Sequence, residues 1–259
     1  MSRLQSHRDR YISIAILASF FIGLGVATAE ERYADGDSNK QYFLIGGGND
    51  SKPPAKTYRL LVVLPGGDGG PDFNPFVRRI HQNALNENYL VAQLVAKKWN
   101  RKQAEQLVWP TNTNMLPGVK FSTEEFVDTV IRDVERTHEV DSAHVYTLSW
   151  SSGGPAAYAT SLKRGTKVKG SFVAMSVFKP NQLPSLVGAK NHSYYILHSP
   201  TDFIPISMAK TARNRLAASG ASTWLQTYKG GHGWRGDVYG MIRNGITWLE
   251  QQHGRPIRK

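Results

Sequence analysis

Short, uninterrupted apolar runs recur along the chain and predict strands that are buried on both faces. The clearest is YRLLVVL at residues 58–64, which is stopped by Pro65 and the two glycines that follow it. The other runs have a similar length and are also rich in branched and aromatic residues: QYFLI at 41–45, YLVAQLVA at 89–96, AHVYTLS at 143–149, GSFVAMSV at 170–177, SYYILHS at 193–199 and STWLQTY at 222–228.

Between these runs, apolar residues recur at the spacing of amphipathic helices. In residues 122–140, Ser122 is a candidate cap, and an apolar stripe runs through Phe126, Val130 and Val134. Similar helices are predicted at 73–88, 155–164, 206–220 and 238–253. The alternation of strands and helices predicts an α/β fold with a mainly parallel central sheet and helices on both faces.

Two segments interrupt this alternation. Residues 30–40, EERYADGDSNK, are polar and are predicted to form a flexible leader before a domain that spans 41–259. Residues 97–120 are rich in loop-forming residues and carry Trp99 and Trp109. This second segment has two interpretations: a loop lining a ligand crevice at the carboxyl edge of the sheet, or a surface excursion packed by its own tryptophans.

The N-terminus has the pattern of a secretory signal peptide at residues 1–29. Arginines near the start precede the apolar run YISIAILASFFIGLGVA, and Ala27 and Ala29 occupy the small-residue positions of a cleavage site before Glu30. The run is short for a membrane span, which needs about 20 apolar residues. We therefore expect an exported protein with no stable membrane span, with an uncleaved N-terminal membrane anchor as the alternative.

Composition narrows the possible chemistry. The chain has no cysteine, which excludes disulfides, a cysteine nucleophile, thiolate zinc sites and iron–sulfur clusters. Its formal charge of +12 arises from dispersed lysines and arginines, which indicates either an acidic glycan or lipid surface nearby or simply a basic exterior. No nucleic-acid-binding motif is present, so no nucleic acid partner is expected.

The motif SWSSGG follows a predicted strand and precedes a predicted helix, which is the context of a nucleophile elbow. The elbow needs small residues two positions before and two positions after the nucleophile, because strand and helix come very close there. Ser151 meets this requirement with Ser149 and Gly153. Ser152 does not, because Trp150 would stand at the first of these places. Ser151 is therefore the predicted nucleophile.

A serine hydroxyl needs a base and a group that orients the base. Asp202 follows the strand SYYILHS, and His232 lies in a glycine-rich loop after the strand STWLQTY. These two residues are predicted to complete a triad with Ser151 at the carboxyl edge of the sheet. The backbone N–H groups of Ser152 and Gly67 are predicted to form the oxyanion hole.

The substrate pocket is less well determined by the sequence. Trp99, Trp109 and Trp150 are the candidate pocket residues, and Trp150 either walls the acyl pocket or packs in the core. The remaining histidines lack the spacing of metal ligands, so we expect no metal and no other cofactor.

In this order, the motifs LPGGDGG, SWSSGG, HSPTDFIP and GGHGW resemble the α/β-hydrolase superfamily over about residues 41–252. Within it the chain is similar to the phospholipase/carboxylesterase group and to secreted polyhydroxybutyrate-depolymerase-like and feruloyl-type esterases. The resemblance implies an oxyanion loop after the third strand, a serine elbow, an Asp after the seventh strand and a His after the eighth. The chain departs at Ser149 and Ser199, where glycine is usual, and at Pro65, where histidine is common.

These observations predict an exported serine hydrolase that cleaves carboxylic esters through an acyl-enzyme intermediate. The expected substrate is a small-molecule ester or an ester of a glycan or lipid. Two alternatives remain open at this stage: a non-catalytic exported binding protein with the same fold, and a serine peptidase or acyl transferase with the same triad.

Overall fold

The computed structural model describes residues 29–48 and 56–253, so most of the predicted signal segment lies outside the described residues. Eight strands form one sheet in the order β1-β2-β4-β3-β5-β6-β7-β8. The strands are β1 Ala29–Tyr33, β2 Gln41–Ile45, β3 Tyr58–Leu64, β4 Tyr89–Leu94, β5 Val140–Trp150, β6 Gly170–Ala174, β7 Ser193–His198 and β8 Ser222–Thr227. The helices are α1 Asn74–Ala84, α2 Arg101–Gln106, α3 Thr123–Thr137, α4 Gly154–Leu162, α5 Ile206–Ala218 and α6 Val238–His253.

The sheet is parallel from β4 through β8, and only β1 and β2 at one end run antiparallel to their neighbours. The predicted mainly parallel sheet with helices on both faces is therefore confirmed. In this arrangement the carboxyl ends of β3, β5, β7 and β8 meet at one edge, where the loops that follow them can form a common site.

Strand β3 shows why its sequence is a continuous apolar run. Leu60, Val62 and Leu64 belong to the core cluster beneath α3, whereas Leu61 and Val63 belong to the cluster beneath α1 and α6. All five side chains are fully buried. Because both faces of the strand are covered, neither set of alternate positions can be polar.

The prediction of a flexible leader at residues 30–40 is wrong. Strand β1 pairs antiparallel with β2, with Ala29 opposite Ile45 and Tyr33 opposite Gln41. Asp35, in the turn after β1, forms ion pairs with the arginines at positions 132 and 136 of α3. The sequence EERY hides this strand because an edge strand is only partly buried and can carry charged side chains on both faces.

The loop at 97–120 also contains more regular structure than the sequence indicates, because it includes the short helix α2. The Asn100 side chain caps this helix by accepting the N–H of Gln103 at 2.9 Å. Within the two described ranges, no helix is both long enough and apolar enough to cross a bilayer.

The contact of α6 with the sheet gives a stability prediction. A Cβ added at Gly245 would lie 2.2 Å from a ring carbon of Phe172 and 2.8 Å from one of Tyr195. Gly→Ala in a helix normally stabilises by ~1 kcal/mol. Here the clash reverses the sign, and Gly245→Ala is expected to lower the free energy of unfolding by about 1–3 kcal/mol in denaturant titration.

Asn244→Ala is the matched control, since Asn244 is an exposed neighbour on the same helix. It should leave the free energy of unfolding nearly unchanged. A Gly245→Ala variant as stable as the native chain would contradict the close packing of α6 on β6.

Candidate active site

Ser151 lies in a sharp turn between β5 and α4. Its φ of 51° is in the left-handed region, which a non-glycine residue adopts only at a cost of roughly 1–3 kcal/mol. A Cβ at Gly153 would lie 2.2 Å from the carbonyl oxygen of Leu64, so only glycine fits there. Ser149 is fully buried, and its hydroxyl donates to the carbonyl of Phe172 at 3.4 Å. The structure thus shows the small-residue requirement on both sides of Ser151.

The structure brings Ser151, His232 and Asp202 into one hydrogen-bonded line. The Nε2 atom of His232 is 3.0 Å from the Ser151 Oγ, and the Nδ1 atom is 3.0 Å from both carboxylate oxygens of Asp202. With the Nδ1 proton donated to the carboxylate, Nε2 is left as the acceptor for the serine hydroxyl. The arrangement can therefore withdraw the proton from Ser151.

The carboxylate of Asp202 is held in a defined orientation. Its side chain has no exposed surface, and its Oδ1 also accepts the backbone N–H of Ile204 at 2.8 Å. The same short segment is tied down by His198, whose Nε2 is 2.9 Å from the Ile204 carbonyl. His198 is fully buried, as expected for a structural histidine rather than a second base.

The loop carrying His232 is rich in glycine, and the hydroxyl of Tyr228 holds it. This hydroxyl is 3.0 Å from the carbonyl of Gly231 and 2.8 Å from that of Gly233, so it bridges the residues on either side of His232. Burial, together with the charge of Asp202, raises the pKa of Tyr228 to about 12. The hydroxyl therefore stays protonated and able to donate across the physiological range.

Two further side chains accept hydrogen bonds from backbone N–H groups of the same loop. Gly231 donates to the Oγ of Ser199 at 3.0 Å, and Gly233 donates to the Sδ of Met175 at 3.1 Å. Sequence reasoning singled out Ser199 only as a departure from a common glycine, and it missed Met175 and Tyr228. The position of Tyr228 at the end of a predicted strand was the only available signal, because these contacts form across long sequence separations.

The loop after β3, which carries the predicted oxyanion donor Gly67, is held in a tight turn. Gly69 donates its N–H to the carbonyl of Gly66 at 3.0 Å, which closes the turn around Gly67, whose φ is +58°. In the trans peptide that joins Gly66 to Gly67, the carbonyl and the N–H point in opposite directions. Because the Gly66 carbonyl points towards the Gly69 N–H, the Gly67 N–H points out of the turn. The Ser152 N–H lies in the first turn after β5, where helical donors lack intrahelical partners.

Two side chains brace this loop by donating hydrogen bonds to its carbonyl groups. The Nε1–H of Trp109 donates to the carbonyl of Pro65 at 2.9 Å, and the hydroxyl of Ser152 donates to the carbonyl of Gly67 at 2.8 Å. The second contact joins the two predicted oxyanion donors directly. Ser152 therefore supports this loop through its hydroxyl, in addition to carrying a predicted backbone donor.

The three tryptophans that were predicted as pocket residues lie elsewhere in the fold. Trp109 is buried behind the loop after β3. Trp99 packs edge-on against Phe121, with ring centres 4.9 Å apart. Trp150 is buried on the α1 and α6 side of the sheet, where its ring contacts three others, those of Phe73, Phe76 and Trp234. Trp150 therefore packs in the core, and none of the three lines the cavity next to the nucleophile turn.

That cavity has a volume of about 280 Å³. Its walls come from α2 and the loop after it, from the start of α4 and from the loop after β6, and they comprise Glu105, Gln106, Leu107, Val108, Thr111, Asn114, Ser152, Pro155, Val177, Lys179, Gln182 and Leu183. From the segment 97–120, residues 105–108, 111 and 114 line this cavity. Trp99 packs against Phe121, and Trp109 braces the loop after β3. Among the described residues, no cluster of three or more His, Asp or Glu side chains is arranged to hold a metal ion.

The sequence matches no protein-family model and no curated protein. Its fold, however, is similar to those of solved esterases. A structure from work on two fungal esterases of Rhizomucor miehei has a TM-score of 0.65 at 12% identity and covers 90% of this chain and 84% of that one. A putative dienelactone hydrolase of Klebsiella pneumoniae has a TM-score of 0.64 at 14% identity, with 86% and 98% covered.

A ferulic acid esterase gives the same TM-score of 0.64 at 12% identity, with 88% of this chain and 98% of that one covered. At these identities the likeness concerns the fold. The chain has an α/β-hydrolase fold, as the order of its motifs indicates.

The contacts of Tyr228 give a prediction for the site. Tyr228→Phe removes the hydrogen bonds that flank His232, so the histidine loop should lose part of its order. The limiting rate at which a fluorophosphonate labels Ser151 should fall by up to roughly tenfold, which corresponds to one hydrogen bond of ~0.5–1.5 kcal/mol.

Tyr195→Phe serves as the control, because the hydroxyl of Tyr195 bonds to Gln226 on the neighbouring strand β8. It should leave the labelling rate unchanged. Equal labelling rates in the two variants would show that Tyr228 does not position His232.

Proposed function

We propose that this protein is a carboxylic-ester hydrolase that forms an acyl-enzyme intermediate on Ser151. The observation that carries the proposal is the line of hydrogen bonds from the Ser151 hydroxyl through His232 to the buried carboxylate of Asp202. The esterases named among the similar structures are consistent with this proposal.

Acylation begins with proton transfer from the Ser151 hydroxyl to the Nε2 of His232 as Oγ bonds to the ester carbonyl carbon. The carbonyl oxygen gains the negative charge and accepts hydrogen bonds from the N–H groups of Ser152 and Gly67. Asp202 stabilises the imidazolium and keeps its ring oriented. Collapse of the intermediate breaks the bond to the alcohol oxygen, which leaves with the proton from Nε2.

Deacylation repeats these steps with water. Nε2 of His232 takes a proton from water, and the hydroxide that forms bonds to the acyl carbon. The oxyanion again accepts hydrogen bonds from the N–H groups of Ser152 and Gly67. The bond to Ser151 Oγ then breaks, Oγ recovers the proton from Nε2, and the carboxylic acid leaves.

The left-handed backbone of Ser151 supports catalysis over binding alone. A protein that merely binds ligands has no need to hold a serine at a φ of 51° against a histidine that is itself oriented by a buried carboxylate. Strain of this kind concentrates at reactive sites, where the surrounding structure maintains it. Peptide hydrolysis and acyl transfer use the same groups, so we treat them as outcomes of the assays.

We further propose that the protein is exported and acts on a small-molecule ester or on an ester of a glycan or lipid. The N-terminal sequence pattern supports export: basic residues precede an apolar run, and small residues precede Glu30. The dispersed positive charge suits acidic glycan or lipid surfaces. The absence of a cofactor and of a nucleic acid partner remains a prediction from the sequence.

Replacement of the nucleophile tests the proposal directly. Ser151→Ala should lower kcat on aryl esters by about 10⁴-fold or more and should abolish fluorophosphonate labelling, because no hydroxyl remains to attack. Ser207→Ala, at an exposed serine of α5, is the control and should keep native rates. Native rates in Ser151→Ala would sink the assignment, and a native chain that is neither labelled nor active would favour a binding protein.

The brace behind the oxyanion loop gives a second test. Trp109→Phe removes the N–H that holds the Pro65 carbonyl, so the Gly67 donor should become less well placed. We expect kcat to fall by up to about 10² with KM little changed, since the loss is felt at the oxyanion.

Trp234→Phe is the matched control because Trp234 lies near the site and its Nε1–H has no hydrogen-bond partner among the described residues. Thermal denaturation of both variants shows whether a fall in kcat is accompanied by a general loss of stability. Equal kcat values for the two variants would remove Trp109 from the support of the oxyanion site.

A further inference from the structure

The two sides of the nucleophile turn differ in shape, and this difference bears on the substrate. Resting on the proposed ester hydrolysis, we propose that the cavity beside Ser152 holds the acyl group, which is short and apolar. The alcohol lies against the exposed ring of Phe203 and is not limited in size. The substrate class is then an ester of a small apolar acid with an aromatic or otherwise bulky alcohol.

The proton transfers determine which part of the ester lies where. The alcohol oxygen must receive its proton from Nε2 of His232, so the alcohol lies next to the histidine loop. The acyl carbon is bonded to Ser151 and projects away from that proton donor. The cavity is lined by Ser152 and Pro155 and by no described residue of the loops that carry Asp202 and His232. It therefore lies on the acyl side.

The cavity walls indicate an apolar, size-limited acyl group. The apolar part of the wall includes Pro155 and Val177, and the exposed charges of Glu105 and Lys179 suit a rim in contact with water. The cavity volume of 280 Å³ lies just below the usual range of ligand pockets, about 300–1,000 Å³. A short chain or a single ring would fill much of such a space.

A hydrogen bond joins two of the loops that border this cavity. The hydroxyl of Thr113, in the loop after α2, donates to the carbonyl of Gln182, in the loop after β6, at 2.8 Å. Within the first loop, Thr111 donates both its N–H and its hydroxyl to the side-chain oxygen of Asn114. The loops that border the cavity are therefore joined to each other, which limits how far an acyl chain can extend.

The alcohol side is open and carries an unusually exposed aromatic ring. Phe203 is 77% exposed, and its ring centre is 4.4 Å from that of the His232 imidazole. The fold gains little from a phenyl group left in water. The ring can gain the free energy of burial when an apolar alcohol covers it, and its contact with His232 places it where the alcohol leaves.

An acyl series tests the cavity. The native protein is assayed on p-nitrophenyl acetate, butyrate, octanoate and palmitate, with the alcohol held constant. We expect kcat/KM to rise and then to fall steeply for the long chains. Val177→Trp, which fills the cavity, should lower the ratio of octanoate to acetate kcat/KM by about tenfold or more. Val187→Trp, at a position 78% exposed and outside the cavity, should leave this ratio unchanged.

An alcohol series tests Phe203 with the acyl group held at butyrate. Phe203→Ala should lower kcat/KM for the naphthyl ester relative to the ethyl ester several-fold. Phe203→Tyr should restore the native ratio because it keeps the ring. A general disturbance of His232 would affect both esters alike and would leave the ratio unchanged.

The outcomes separate this inference from the proposed function. Hydrolysis that requires Ser151 but has an acyl profile indifferent to Val177→Trp would overturn the acyl assignment and leave ester hydrolysis standing. If Val177→Trp instead changed the ratios of kcat/KM in the alcohol series, the cavity would hold the alcohol and the acyl group would lie against Phe203. Failure of the native protein to hydrolyse any ester or to react with a fluorophosphonate would remove the proposed function itself, and the inference with it.

Discussion

The close approach of the nucleophile turn to the end of β3 is the constraint on which the rest of the site depends. Gly153 lies so near to the Leu64 carbonyl that a Cβ would be 2.2 Å from its oxygen, and the Ser152 hydroxyl bonds to the Gly67 carbonyl beyond it. Ser151 and the proposed oxyanion loop are therefore positioned by the same contact. On the other side, Ser176 donates to the Ser151 carbonyl at 2.7 Å, which ties the turn to the end of β6.

A second set of contacts positions His232, the proposed base, independently of that turn. The histidine loop has glycines on both sides of His232, and left to itself it would sample many conformations. Side chains from β6, β7 and β8 and the loops that follow them hold its polar backbone groups. The site therefore joins two rigid halves, one built on β3 and β5 and the other on β7 and β8, and β6 contributes to both.

The sequence predicted the parts of this molecule that follow from local pattern. Continuous apolar runs indicated the parallel strands because both faces are buried, and the order of Ser151, Asp202 and His232 along the chain indicated that they meet at one sheet edge. Strand β1 escaped detection because an edge strand can be polar. The alternation of Tyr146, Leu148 and Trp150, which share one core cluster, could have shown that Trp150 faces away from the cavity.

The contacts that hold the histidine loop and the walls of the cavity could not be predicted in the same way. Each depends on contacts between side chains and backbone groups that are far apart in the sequence, and local periodicity does not predict such contacts. Ser199 illustrates this limit: as a sequence feature it was only an unexpected serine in place of glycine. In the folded chain its Oγ accepts the N–H of Gly231.

The hydrogen bond between Thr113 and Gln182 bears on how the cavity can change when these loops are altered. The loops that shape the cavity meet each other through an exposed contact and lie outside the packed junction of β3, β5 and α4. Substitutions in these loops can therefore change the shape of the cavity without disturbing the contacts that position Ser151.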